Sequence, residues 1–350
     1  MVVVGDPWVS KSESDQRKEN QENITQMPNV KISILMPTYN GMKYLEHAIG
    51  SVLSQKYRDW ELIISDDGST DGTRDYLAAL KDPRIVVHFQ ARNLNIFGNL
   101  NFLFSQAKGE IAQILCQDDY FTADDSLDRI LAEWATLPQE VAFLRMNHTS
   151  EGNKGLARIE GPILPPTVRP NESDLLFFIF GCIPGNLSNV SVRMSLVQDA
   201  GMFRTDLPYA GDFEFWSRLG HVHPWSISKI KAVHVRGHSD QASRTLNTRG
   251  ELMPQMAAVL GALYPRLVEE GHSIFLLRLL ATLNYVSQHR YAGVRALLKG
   301  RGGEYLRSVS KSFDKADFAL GALGGWAVFF VSLGGRIFTP QVARRLLKSN

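Results

Sequence analysis

The sequence predicts an α/β fold: a doubly wound, mostly parallel sheet with helices on both faces, followed by a helical region. Three observations predict it. From Val30 to about Asp119, short apolar runs alternate with helical spacing at the pace of successive strand–helix units. The first run, "KISILMP", is apolar without alternation, as a strand buried on both faces must be. Polar residues then collect where the strands stop, which in such sheets is where ligands bind. They are Thr38, Tyr39 and Asn40, then Asp66 and Asp67, then Asp118 and Asp119.

Taken in order, residues 1–29 read as a polar tail whose short apolar start is too brief for a secretory signal. "MKYLEHAIGSVLSQ" carries Leu45, Ile49, Val52 and Leu53 on one helical stripe. "WELIISDDGSTD" is a second strand ending in acids and glycine. "TRDYLAALKD" is a helix, "RIVVHFQA" a strand, "IFGNLNFLFSQAKG" a helix closed by glycine, and "EIAQILCQDD" a strand that runs into two aspartates. This makes residues 30–121 the first half of a domain spanning 30–250, with 122–250 as the second. Within the latter, 151–174 is a Gly- and Pro-rich loop, of a length that in a compact domain tends to be functional. "LLFFIFGCIPGNLSNVSVRMSLVQDAGMF" offers helix, turn, strand and helix, and "YAGDFEFWSRLG" a helix whose start carries Asp212. Residues 251–350 read as helical.

A net charge of +2 argues against a nucleic-acid binder working by bulk electrostatics. Cys116 and Cys182 sit in apolar text and suit free thiols in a reducing compartment.

Adjacent acids repel, and turn chemistry needs only one Asp, so "QDD" points to a bound cation. On an extended segment successive side chains face opposite ways, so Asp118 and Asp119 should do different jobs: one ligates a metal, the other binds ribose or holds the loop. Oxygen ligands beside a diphosphate suit Mg²⁺ or Mn²⁺. For "SDDGSTDG" two readings stand: an acid accepting from a base or ribose, or an Asx turn with Ser69, Thr70 or Asp71 capping the next helix.

"ISILMPTYNGMKYLEHAIGSVLSQKYRDWELIISDDGSTDGT", followed by "KGEIAQILCQDDYF", resembles the family 2 glycosyltransferases of GT-A fold. The resemblance is close over Lys31–Phe121 and looser to about Ser243, and it implies that 30–121 is the nucleotide-binding half of the domain and 122–250 the acceptor half. It implies that the "PTYN" strand end (Pro37, Thr38, Tyr39, Asn40) and the acids Asp66 and Asp67 cradle the base and ribose of a nucleotide-sugar donor, a UDP- or dTDP-sugar. It implies further that Asp119 holds the divalent metal and that Asp118 lies towards the ribose. The strict Asp-x-Asp pattern is broken by Gln117. Asp212 matches the general base of an inverting transfer, with Gly211 where the family usually has Glu. Arg236, His238, Gln241 and Ser243 match a segment that closes over the donor phosphates, and Asn186 and Ser188 one that lines the donor sugar and acceptor. The acceptor implied is a glycan or a lipid-linked sugar at the cytoplasmic face, in surface polysaccharide or glycolipid synthesis. A nucleotidyltransferase is the alternative, but "PTYNGMKY" lacks the Gly-rich loop with Lys or Arg that such an enzyme needs. A non-catalytic binding module is disfavoured by the presence of both Asp119 and Asp212.

"FALGALGGWAVFFVSLGG", residues 318–335, is free of charge and followed by Arg336, Arg344, Arg345 and Lys348. Five glycines weaken a membrane span. Two readings remain: an interfacial helix with a basic flank on anionic lipid, or a buried helix of a C-terminal bundle.

Overall fold

A computed structural model describes residues 32–150, 164–238, 249–300, 302–335 and 337–348. The 1–29 tail, most of the 151–174 loop, and Gln241 and Ser243 lie outside the described residues.

The first half follows the expected alternation. Strands β1 (Ile32–Thr38), β2 (Trp60–Asp66), β3 (Ile85–Phe89) and β4 (Ile111–Ile114) are all parallel. Helices α1 (Met42–Leu53), α2 (Thr73–Ala78) and α3 (Asn95–Gln106) connect them. Every residue of β1 and β2 is buried, as their mostly apolar text requires, and the polar pair inside them is satisfied by Ser33 Oγ donating to Glu61 Oε1 (2.7 Å). The two-residue period sends Ile32, Ile34 and Met36 into one core, with Leu45, Ile49 and Val52 of α1. Leu35 and Ile63 enter the other, with Phe97, Leu100 and Phe104 of α3.

Beyond Asp119 the sheet becomes mixed. After α4 (Ser126–Thr136) come β6 (Phe143–Thr149), β7 (Thr167–Val168), α5 (Pro170–Phe180), β8 (Val190–Arg193), α6 (Met194–Ala200), α7 (Gly211–Val222) and β9 (Trp225–His234); β5 (Tyr120–Phe121) precedes α4. The strand order is β3-β2-β1-β4-β8-β6-β9-β5, with β7 on β9. β8 runs antiparallel to both β4 and β6, and β5 and β7 antiparallel to β9, while β6 and β9 are parallel, so the unbroken parallel sheet the sequence predicts is confined to β1–β4. Strand β1 has β2 on one side and β4 on the other, which makes the β1/β4 boundary the point where the winding reverses.

The C-terminal helices are α8 (Leu252–Glu269), α9 (Ile274–Ala281), a π-helical stretch Thr282–Ser287 leading into α10 (Gln288–Leu297), α11 (Gly303–Phe313), α12 (Gly321–Val331) and α13 (Thr339–Leu347). They share the core on the α3 side of the sheet: Leu277, Leu280, Phe313 and Leu346 are buried in one cluster with Phe177 and Trp216. A buried ionic tie joins the parts, with Asp174 of α5 2.8 Å from Arg266 Nε of α8 and 3.0 Å from His221 Nδ1 of α7. The uncharged run 318–335 is not one helix. α12 spans 11 residues, and left-handed Gly321 (φ 69°), Leu333 (φ 51°) and Gly334 (φ 70°) bound it. Among the described residues no helix is long and apolar enough to cross a membrane.

Candidate active site

Register places the acids together. Thr38 at the end of β1 pairs with Asp66 at the end of β2, and Leu35 with Ile114 at the end of β4, so all three strand exits open on the same edge. The exits of β1 and β2 are sewn to each other. Asn40 N–H donates to Ser69 Oγ (2.8 Å), Gly41 N–H to Thr73 Oγ1 (3.0 Å), Met42 N–H to Asp71 Oδ2 (3.1 Å), and Thr70 N–H to Asn40 Oδ1 (2.8 Å). Asp71 and Ser69 thus hold the loop-to-loop contact. Asn40 adopts φ 48°, a left-handed conformation that Asn tolerates better than most residues.

Strand β4 stops at Ile114, two residues short of the Cys116 at which the sequence reading ends it. Asp119 N–H donates to Cys116 C=O (3.0 Å), so residues 116–119 close a turn and the acids are not on extended chain. They still diverge. Asp118 Oδ2 meets His238 Nε2 at 2.8 Å. Asp119 is buried, accepting from the Arg236 backbone N–H at Oδ1 (2.9 Å) and from the Ser188 hydroxyl. Burial, and then the charge of Asp118, push Asp119 up to about 7. Among the described residues Cys116, Asp118 and Asp119 bring their ligand atoms within 4.8 Å of one another. Burial also pushes the Cys116 thiol well up, so it stays protonated and leaves the oxygen ligands of the group to the two carboxylates.

The other predicted residues are placed as follows. Tyr39 and Asn40 are exposed on the β1 exit, whereas Pro37 and Thr38 are buried in the strand. Asp66 is buried, its Oδ2 receiving Gly68 N–H (3.3 Å) and Ser69 N–H (3.2 Å). Asp67 is also buried and accepts at Oδ1 from Leu94 N–H (2.7 Å) at the entry to α3; burial raises its pKa, against the pull of that bond. Asn186 is half-buried, and Ser188 is buried, accepting from Cys116 N–H (2.9 Å).

Asp212 lies in the first turn of α7, partly buried. Its Oδ1 accepts from Phe213 N–H (2.8 Å), and Cys182 Sγ donates to Oδ2 at 3.5 Å. Burial raises its pKa. The segment Cys182–Ser188 therefore touches both acid centres, Asp212 at one end and Asp119 at the other. It is pinned by Asn189 Nδ2, which donates to Met146 C=O (2.8 Å) and Pro184 C=O (3.1 Å). Gly211 has no room for a side chain: a Cβ there would come 2.7 Å from the Phe97 ring.

Sequence reasoning missed a group around Arg236. Its guanidinium lies 5.3 Å from the Tyr44 ring centre and 4.8 Å from that of Tyr120, and contacts His47 Nδ1. His47 and His234 stack on the two sides of Tyr120 at 4.2 and 4.7 Å, and His238 packs on Tyr44 at 4.8 Å. The signals available were the i, i+3 spacing of Tyr44 and His47 and the tyrosine directly after the acid pair. Cationic and aromatic groups beside two carboxylates make a site fitted to bind an anion together with a cation.

The family described as "Glycosyl transferase family 2" matches residues 33–190. An uncharacterized glycosyltransferase of Rickettsia bellii (strain RML369-C) is 25% identical over 289 residues, covering 80% of this chain and 41% of that protein. The chain thus spans less than half the length of that relative. Glycosyl transferase WcaA of Escherichia coli (strain K12), whose assignment to colanic acid biosynthesis is provisional, is 27% identical over 213 residues, 60% of this chain and 74% of its own. Among solved structures, S. aureus TarS 1-349 in complex with UDP-GlcNAc has a TM-score of 0.60 at 16% identity, covering 91% of each chain. At that identity the likeness is one of fold. Residues 33–190 thus match the family 2 glycosyltransferases, in a chain whose fold is GT-A-like and is followed by a C-terminal helical region.

Proposed function

We propose that the chain transfers a sugar, with inversion, from a nucleoside diphosphate sugar to a hydroxyl of a glycan or lipid-linked acceptor. One observation carries the reading: the acid pair at the β1/β4 switch point faces Arg236 and His238 and is joined by the Cys182–Ser188 segment to a third, partly buried acid, Asp212. The exits of β1 and β2, with Tyr39 and Asn40 exposed and Asp66 and Asp67 behind them, would receive a uracil- or thymine-type nucleoside. Arg236 and His238 would meet the diphosphate.

The acids suit Mn²⁺ or Mg²⁺. Both are hard oxygen donors, and a buried carboxylate raised by a like neighbour has most to gain from a cation. Asp119 would hold the ion with Asp118 beside it, and the ion would offset the charge growing on the departing nucleoside diphosphate. Asp212 takes the proton of the acceptor hydroxyl as its oxygen bonds to the anomeric carbon and the bond to the diphosphate breaks. Burial suits it to this work by making the carboxylate more basic than usual. A single displacement inverts the anomeric centre. We place the acceptor on the cytoplasmic side, in surface polysaccharide or glycolipid synthesis, with the C-terminal region at a membrane surface.

The reading is tested by incubating the protein with a panel of nucleotide sugars and Mn²⁺ and measuring release of nucleoside diphosphate, with and without glycan acceptors. Turnover of at least one donor, lost on chelation and in Asp119→Ala, is expected. No turnover of any donor, with or without metal, counts against it.

A further inference from the structure

Exposed apolar surface is concentrated in one part of the molecule. Among the described residues, eleven of the fifteen exposed large apolar side chains lie between Ile274 and Phe338. On α12 they fall at positions i, i+3, i+7 and i+8 (Leu323, Trp326, Phe330 and Val331), which is one face of a helix. Leu323 is 90% exposed, Phe330 70% and Val331 72%. Beyond the helix Leu333 and Phe338 extend the patch. An apolar cavity of about 230 Å³, with Leu279, Leu283, Val331 and Phe338 in its wall, opens beside it. The opposite side of α12 is anchored. Gly325 leaves room for the buried Arg290 guanidinium, which lies 4.5 Å from the Trp326 ring centre and is ion-paired with Asp314. The outward direction of the apolar face is therefore fixed by the core beneath it.

Charge is divided in the same way. Residues 271–350 contain twelve Lys and Arg against three Asp and Glu, a net of +9, while the whole chain carries +2. The first 270 residues therefore carry −7. No Asp or Glu follows Asp317, and Arg344, Arg345 and Lys348, on and just after α13, are exposed. A negatively charged surface attracts one end of this molecule and repels the other.

We infer that the surface formed by α12, the turn after it and α13 docks on an anionic phospholipid membrane, apolar face in the acyl boundary and arginines over the headgroups. An exposed apolar helix face followed in the chain by exposed basic residues and no acid has the chemistry of interfacial binding. α12 lies along the interface, since its 11 residues fall short of the about 20 a span requires. The division of charge then favours one orientation on the lipid as well as the attraction to it. This deepens the reading that a membrane carries the acceptor, but its test does not depend on catalysis.

The test is co-sedimentation of the full chain with phosphatidylcholine vesicles, with and without phosphatidylglycerol. Partition about tenfold or more in favour of the anionic vesicles, weakened by salt, is expected. Leu323→Ser with Phe330→Ser, and separately Arg344→Gln with Arg345→Gln, should each lower it by about tenfold, with melting temperature unchanged because all four side chains are exposed. Failure to partition onto either vesicle, or partition indifferent to both double variants, overturns the inference. So does self-association in analytical ultracentrifugation that Leu323→Ser with Phe330→Ser abolishes, which assigns the face to a second copy. Vesicle binding without sugar transfer sinks the proposed function and leaves the docking intact; transfer without vesicle binding does the reverse.

Discussion

Gln117 holds Tyr39 by both of its backbone polar groups: Oε1 accepts from Tyr39 N–H at 2.8 Å, and Nε2 donates to Tyr39 C=O at 2.9 Å. The residue that breaks the Asp-x-Asp pattern therefore has work of its own. It locks the acid turn after β4 to the exit of β1 across the switch point. Gly41 makes this geometry available, because a Cβ there would overlap the Gln117 amide.

Gln117→Asp restores the first acid of the pattern but is one methylene shorter and cannot donate. Losing the two bonds costs about 1–2 kcal/mol, so affinity for a nucleoside diphosphate should fall about 5- to 30-fold by calorimetry. Gly41→Ala should act in the same direction. Tighter binding by Gln117→Asp would show that the clamp is not what the site needs.

Acid-side activity should follow Asp212. As the proposed base it acts only when ionised, so kcat/KM should rise with pH through its pKa, which burial holds above the usual carboxylate range. The Cys182 thiol donates to Asp212 and favours the ionised form. Cys182→Ala should move the acid limb of the pH profile upward and leave the plateau within a few-fold. An unmoved limb would detach the thiol from the base.

Gly211 is a packing requirement. Gly211→Ala forces the Phe97 ring to shift, with an expected cost of about 1–3 kcal/mol in urea unfolding. Adding Phe97→Ala should relieve the clash, so the double variant falls short of the sum of the singles. Additive losses would mean that the two side chains do not compete for the same space.

His289, on α10, reports on the C-terminal helices. Burial lowers its pKa from 6.5 to about 4, and its Nδ1 pairs with the Tyr305 hydroxyl at 2.7 Å. Between those values the unfolded chain binds a proton that the folded one refuses. The stability in question is thus fully present above about pH 6.5 and lost as pH falls towards 4, by at most about 3 kcal/mol. Urea unfolding at pH 7 and pH 4.5 should show a steeper loss for wild type than for His289→Gln. Parallel losses would contradict it.

The first half was legible because β1 and β2 are buried on both faces, so their text is mostly apolar and their polar ends stand out. Asp118 and Asp119 were found this way, although the turn that carries them reads as more strand, since Leu115 and Cys116 are apolar. The mixed half was harder. β9 pairs with β5, β6 and β7, contacts distant in sequence that no local period announces. For the same reason the stack of His47, Tyr120 and His234 joins three separate segments and was invisible beforehand. The uncharged run 318–335 read as one segment because apolar character says nothing about the left-handed residues that cut it.

The central claim divides two acids by role: Asp119 for binding the donor with its metal, Asp212 for taking the acceptor proton. The most direct test measures both on the same proteins, nucleoside diphosphate binding in Mn²⁺ by calorimetry and sugar transfer by product analysis. Asp212→Asn should bind within a few-fold of wild type and lose transfer by about 100-fold or more, whereas Asp119→Ala should lose both. Normal transfer by Asp212→Asn, or undiminished metal-dependent binding by Asp119→Ala, would contradict the account.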